Sequence, residues 1–243
     1  MIAKARVLLT LLVCAICISA ALPNPTRADS QVQALPVVPS PEGFIEGSAL
    51  SADIKKLGLA GQSPSGKLIG VYYQPDTLAK ILKQGYYTEP APFCQAQVQR
   101  EFNSAEEARQ NFKDLVTNAK KESTTKFDRN DPAIDRIWKH YEDAANNLAR
   151  DEALSVNGAT ALGDLAETDT FYANSSIISY SLSDKQHTST LPVASAFGWI
   201  LIGRRILGIS AIYPLVDKQS ITVANDTLMT WLKDIVKHNE STL

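Results

Sequence analysis

Histidine and cysteine are scarce in this chain of 243 residues, which contains three of each. The histidines, His140, His187 and His238, lack the close spacing that is typical of ligands to one metal ion. The chain also lacks a Walker loop, a dinucleotide-binding glycine fingerprint and a GxSxG nucleophile elbow. The sequence therefore assigns no catalytic, cofactor-binding or metal-binding residue, and it favours a protein that is not an enzyme.

Residues 1–28 have the layout of a secretory signal peptide. Lys4 and Arg6 precede an apolar run, and small residues follow at 19–21 and again at Ala28. The run is short for a membrane span, which needs about 20 apolar residues. We expect cleavage after Ala28 or Ala21, and a periplasmic or secreted mature chain with no transmembrane span. An uncleaved membrane anchor is the alternative interpretation.

Cleavage after Ala28 would leave an acidic chain with one cysteine. The remaining residues include 21 basic and 26 acidic side chains. Affinity for nucleic acid comes largely from neutralising phosphates with Lys and Arg, so we expect no nucleic-acid partner. Cys14 and Cys17 would leave with the signal peptide, and Cys94 alone cannot form an internal disulfide. Packing must therefore hold the fold together.

Residues 29–43 contain three prolines and no helical or strand period, which predicts a flexible leader before a single domain over 44–243. The domain begins with alternating helices and strands, predicted over 51–59, 67–74, 76–84 and 92–102. In the last of these, Cys94 falls on the apolar face, so we expect it in the core. Gln95, Gln97 and Gln99 fall on the other face, which we expect to be wet.

The rest of the domain predicts a helical hairpin, a strand meander and a closing helix. Ser104 and Glu107 form a capping box that starts the first helix, and Asp131-Pro132 starts the second. The period then changes to two, which predicts strands near 159–166, 171–183, 187–202 and 205–213, followed by a helix over 220–238. The fold class is therefore α+β: an antiparallel sheet with a C-terminal meander, covered by a helical hairpin and a C-terminal helix.

The stretch FGWILIGRRILGISAIYPL, residues 197–215, is the most apolar part of the chain after its N-terminus. As a membrane helix it would place Arg204 and Arg205 in mid-bilayer, at about 2.5–3.5 kcal/mol each. As a β-hairpin it has a natural turn at Gly203-Arg204, pairs Trp199 with Gly208, and is apolar on both faces. We expect a hairpin enclosed in the core with solvated arginines at its tip. A hairpin with one face open for binding is the alternative.

Three segments resemble the C-terminal half of uncharacterised exported proteins of Gram-negative bacteria. They are LGDLAETDTFYANSSIISYSL, LPVASAFGWILIGRRILGISAIYPL and TLMTWLKDIVKHN, within about 162–239. The layout is also similar, in topology only, to the Mog1/PsbP-like α/β/α sandwich. These resemblances imply an exported location and a non-catalytic binding or accessory role, although fold alone does not transmit function.

Three functions remain open from the sequence. The first is a non-enzymatic accessory protein that binds an unknown envelope protein through an apolar patch. The second is a carrier of a lipid or another apolar small molecule, with a pocket between sheet and helices lined by Phe197 and Trp199. The third is a hydrolase with an unrecognised carboxylate site, in which Glu167 or Asp169 would lie beside His187.

Overall fold

The computed structural model describes residues 35–60, 62, 66–84, 90–123, 153–183 and 188–240, together with residues 135, 139, 142, 143 and 146. Three predictions lie outside the described residues: the signal peptide over 1–28, the start of the second hairpin helix at Asp131, and the placement of His187. The following paragraphs concern the described part of the chain.

A seven-stranded antiparallel sheet runs through the described residues, with the strand order β1-β2-β3-β7-β6-β5-β4. This arrangement confirms the α+β class, the meander and the C-terminal helix. The elements are β1 (Ile45–Glu46), α1 (Ala52–Ala60), β2 (Lys67–Tyr73), α2 (Pro75–Gln84), β3 (Phe93–Glu101), α3 (Ala105–Ser123), β4 (Ala153–Glu167), β5 (Phe171–Ser183), β6 (Thr188–Ile202), β7 (Arg205–Pro214) and α4 (Lys218–His238).

The β6–β7 hairpin confirms the interpretation of the apolar stretch. Gly203 has φ of +57°, a value that suits glycine at the first central position of a two-residue turn. The pairing places Ile202 opposite Arg205, and Trp199 opposite Gly208. None of the described helices is both long enough and apolar enough to cross a membrane.

Both faces of this hairpin are covered by helices. Because side chains alternate along a strand, odd-numbered residues of β6 lie on one face and even-numbered ones on the other. The odd face packs on α3 through Phe197, Trp199, Leu201, Ile206, Phe112 and Val116. The even face packs on α4 through Ile200, Ile202, Leu207, Ile209, Leu228, Trp231, Leu232 and Ile235. The enclosed-core prediction is confirmed, and the alternative of an open hairpin face is wrong.

Strand β3 corrects one prediction and confirms another. Cys94 is fully buried, as expected. Gln95 and Gln97 were predicted on a wet face, but they are only 1% and 2% exposed. The reason is that α1 packs over this face, where Gln95 Nε2 donates a hydrogen bond to the Gly58 carbonyl at 3.3 Å. β3 is an interior strand, buried on both faces.

The predicted flexible leader is anchored where the structure describes it. Trp231 Nε1 on α4 donates to the Pro39 carbonyl at 2.6 Å. Asn239 accepts from the Val37 amide at 3.0 Å and donates to the Val37 carbonyl at 2.7 Å. These three bonds place residues 37–39, from the segment predicted as a flexible leader, against the last turns of α4. Residues 29–34 lie outside the described residues.

The two arginines at the hairpin tip are paired rather than solvated, which corrects the sequence prediction. Strand β3 runs beside β7 to its end and places Glu101 opposite Arg205. Glu101 Oε1 accepts from Arg204 and from Arg205, each at 3.0 Å. The side chains of Arg204 and Arg205 are only 17% and 6% exposed. One carboxylate therefore bridges two largely buried cations.

Candidate functional site

Aromatic side chains fill the interior space where a carrier pocket was expected. Trp199 is 3% exposed, and its ring stacks on Tyr172 with centroids 5.8 Å apart. The Phe197 ring meets the Trp199 ring edge-on, with centroids 5.0 Å apart, and Phe112 of α3 packs in the same cluster. Phe197 and Trp199 therefore belong to the packed core of the described residues.

The carboxylates of the predicted hydrolase site lie on the exposed β4–β5 turn. Glu167 binds Lys120 Nζ, and this hydrogen bond raises the pKa of Lys120. Asp169 is exposed in the turn, where the Thr168 hydroxyl accepts from the Thr170 amide at 3.2 Å. No ion pair of Asp169 is found among the described residues, and His187 lies outside them. Both carboxylates are exposed to solvent.

Metal ligands do not cluster in the described ranges. No group of three or more His, Cys, Asp or Glu side chains is placed there to hold a metal ion.

A groove of about 470 Å³ opens beside the first half of β2, and we call it the β2 groove. It forms because β1 pairs only with Tyr72 and Tyr73. The Gly47 amide donates to the Val71 carbonyl at 2.7 Å, and the chain then turns away into α1. On its outer edge, opposite β3, the start of β2 is left without a partner among the described strands. The lining residues are Glu46, Ser48, Ala49, Lys55, Leu59, Gln62, Gly66, Lys67, Leu68 and Ile69.

The charged side chains give the β2 groove a positive excess. The Glu46 carboxylate is occupied locally, because it binds the Ser48 hydroxyl and accepts from the Ala49 amide at 3.0–3.1 Å. Lys55 and Lys67 are exposed, and neither forms an ion pair within the described residues. An anionic group on a ligand would therefore meet two available ammonium groups.

Gln62 closes the inner end of the β2 groove. Its Nε2 donates to the Gly66 carbonyl, and its Oε1 accepts from the Leu68 amide at 3.2 Å. A side-chain amide thereby binds two backbone groups of the sheet edge, on either side of Lys67. Apolar surface adjoins the groove: Leu59 lines it and is exposed, as is Leu50, next to the lining residue Ala49.

Sequence reasoning assigned no residue to the β2 groove. Strand β1 is only two residues long and was not predicted, so the unpaired edge of β2 could not be inferred. The available signal was weak: two lysines and three apolar residues distributed over a helix and a strand.

Two buried tyrosines near the groove and under α4 predict a loss of stability in alkali. Burial raises the pKa of Tyr213 to about 12, and burial followed by the nearby Glu46 carboxylate raises the pKa of Tyr72 above its usual range. An unfolded tyrosine titrates near about 10. The stabilisation from keeping both phenols neutral is thus complete below about pH 10 and is lost as the pH rises towards the folded values.

We therefore expect the urea midpoint to fall as the pH rises from 10 to 12, and to fall less steeply in Tyr72→Phe. Phenol absorbance should show at least one tyrosine ionising late. Equal slopes for the wild type and Tyr72→Phe would contradict the assignment.

No known protein family matches this chain, and no curated protein matches it. Among solved structures, the Ran-binding protein Mog1p of Saccharomyces cerevisiae is 13% identical, with a TM-score of 0.32 over 83% of this chain and 85% of that one. A mutant of the protein Mog1 gives 13% identity and a TM-score of 0.31, over 83% and 86%. These are weak structural neighbours, and likeness at this TM-score supports no inference about partner or activity.

Proposed function

We propose that this protein is an exported accessory protein of the bacterial envelope that binds another protein through the β2 groove and has no enzymatic activity. The observation that carries the proposal is the contrast between a packed interior and an open sheet edge. The aromatic rings around Trp199 pack together in the core, whereas none of the described strands pairs with the outer edge of β2 at its start.

The chemistry of the β2 groove supports a protein partner. Its apolar lining, Leu59, Leu68 and Ile69, provides surface that is stabilised by burial. Lys55 and Lys67 add charge that fixes orientation and selects acidic partners. The carboxylates considered as a hydrolase site are exposed. They therefore lack the burial that usually tunes the pKa of a catalytic acid. The groove therefore supports recognition more than it supports chemistry.

Export is tested by sequencing the mature N-terminus in a Gram-negative host. We expect the periplasmic fraction to contain a chain that begins at Asp29 or Leu22, because the signal peptide is cleaved after Ala28 or Ala21. A chain made without residues 2–28 is the control, and it should stay in the cytoplasm. Full-length protein retained in the membrane fraction would instead show an uncleaved anchor.

Binding is tested by photo-crosslinking in cells. A photoreactive amino acid at Ile69 should give one dominant protein adduct, because this side chain lines the groove. The matched control is the same substitution at Val223, which is exposed on α4. Adducts at position 69 that vanish with Lys67→Glu support the proposal. No adduct at 69, or the same adducts at 223, would overturn it.

A small-molecule carrier is the second candidate, and the size of the groove favours it. A volume of about 470 Å³ lies in the range of ligand pockets, which is about 300–1,000 Å³. In that case native mass spectrometry of the exported protein would show a bound lipid or other apolar compound. Leu59→Glu should abolish that bound mass, and Leu82→Glu, on the exposed surface of α2, should not.

A further inference from the structure

We propose that the occupant of the β2 groove is an extended peptide segment carrying a carboxylate, and that this segment adds to the sheet as a new strand beside β2. The inference rests on the protein-binding function proposed above and names the kind of partner. It follows from the sheet edges, from Gln62 and from the two lysines.

Among the described residues, no strand pairs with the outer edge of β2 over Lys67–Gly70. Strand β1 reaches only Tyr72 and Tyr73, and an unpaired edge is a template for another strand. A single register shift falls between Leu68 and Gly70. Ile69 is the extra residue of that bulge, and bulges re-aim side chains, which accounts for its position in the groove lining.

The opposite edge of the sheet, β4, is blocked. Its pairing with β5 is interrupted by three register shifts. Its first outward amides are already bound, because the Leu154 amide donates to Asn146 Oδ1 at 2.7 Å and the Val156 amide donates to Glu142 Oε1 at 2.6 Å. Strand addition at this end would have to break those bonds and follow an irregular edge. The β2 edge is more regular, with one register shift and a single side chain, Gln62, bound along it, so strand addition there meets less obstruction than at β4.

The side chain of Gln62 binds the edge of β2 where an added strand would bind. A glutamine amide has one acceptor oxygen and a donor nitrogen, the same groups as a peptide bond. It binds the Gly66 carbonyl and the Leu68 amide, which are the groups that an incoming backbone would use on either side of Lys67. The entering segment must displace Gln62, so this side chain competes with the partner and lowers its apparent affinity.

The lysines define the charge of the segment. Lys55 comes from α1 and Lys67 from β2, so an acidic side chain on the added strand can lie between them. A small amphipathic carboxylate would satisfy the same lysines, but a carboxylate offers no N–H group to replace Gln62 at the Gly66 carbonyl. The backbone groups favour a peptide over a fatty acid.

The test is NMR titration of the exported protein with four probes. The first is a blocked hexapeptide of alternating threonine and valine with one central glutamate. The others are the same peptide with lysine for glutamate, the same peptide with proline for a central valine, and dodecanoate. We expect the glutamate peptide to shift the amides of Leu68–Gly70 and the side-chain amide of Gln62. It should bind about fivefold more tightly than the lysine peptide, and the proline peptide should not bind.

Two variants sharpen this test. Gln62→Ala should tighten the glutamate peptide by about fivefold, because it removes the competing hydrogen bonds, whereas Gln219→Ala on α4 should change nothing. Lys67→Glu, at an exposed position, should reverse the preference between the glutamate and lysine peptides. Equal binding of the proline peptide, weaker binding in Gln62→Ala, or shifts with dodecanoate alone would overturn strand addition. If the peptide titration fails but a specific crosslink forms at Ile69, strand addition is wrong and the protein-binding function stands. If no specific crosslink forms at Ile69, both proposals are wrong.

Discussion

Trp199→Ala is expected to lower the melting temperature by about 6–20 °C. A buried tryptophan replaced by alanine costs about 3–5 kcal/mol, and each kcal/mol shifts the midpoint by about 2–4 °C in a domain of this size. We expect the loss for Trp199→Ala near the upper end of the range of free energies, because the Trp199 ring contacts Tyr172 and Phe197 at centroid distances of 5.8 and 5.0 Å. Scanning calorimetry measures the effect directly.

The control for Trp199→Ala is Val223→Ala, at an exposed position of α4, which should leave the melting temperature almost unchanged. A second variant, Trp199→Phe, keeps a ring in the cluster and should recover part of the loss. If Trp199→Ala has the same melting temperature as the wild type, the hairpin is not the centre of the core, and the claim of an interior packed around it is wrong.

The second large effect is expected from Glu101→Gln. This change replaces the carboxylate that Arg204 and Arg205 each meet at 3.0 Å by a neutral amide, so both arginines lose their negatively charged partner at this position. Removing one partner of a buried charge pair leaves a desolvated charge, and we expect a loss of about 2–3 kcal/mol because Glu101 itself is half exposed. The measurement is the free energy of unfolding in urea at neutral pH.

Two further variants separate this effect from a general surface change. Glu106→Gln removes an exposed ion pair with Arg109 and should cost less than about 0.5 kcal/mol. Adding Arg205→Met to Glu101→Gln removes one of the two cations that lost the Glu101 carboxylate and should restore part of the stability. If Glu101→Gln and Glu106→Gln unfold alike, the arginines do not depend on Glu101.

The hairpin was predictable from sequence because its signals are local. Gly203 marks the turn, and the register then follows by counting outwards, which paired Trp199 with Gly208 correctly. The start of β4 was predicted near residue 159 but lies at Ala153, because register shifts at Val156/Gly158 and beyond reset the alternation that the prediction used. A bulge changes the period without changing the strand.

The surroundings of a strand were not predictable in the same way. Gln95 and Gln97 alternate with apolar residues as on a wet face, and only the placement of α1 over that face shows that they are buried. Arg204 and Arg205 look like turn residues until β3 brings Glu101 beside them. The β2 groove depends on where β1 leaves the sheet, a long-range property that two residues of sequence do not encode.

The central claim is that a rigid, enclosed hairpin supports an open edge at β2. Amide hydrogen exchange on the free protein tests it most directly, because exchange reports local opening residue by residue. We predict that the hydrogen-bonded amides of 198–201 and 206–209 exchange only by global unfolding, and that the outward amide of Leu68, which donates to the Gln62 side chain, exchanges orders of magnitude faster. Equal protection at both places, or fast exchange throughout the hairpin, would contradict the account.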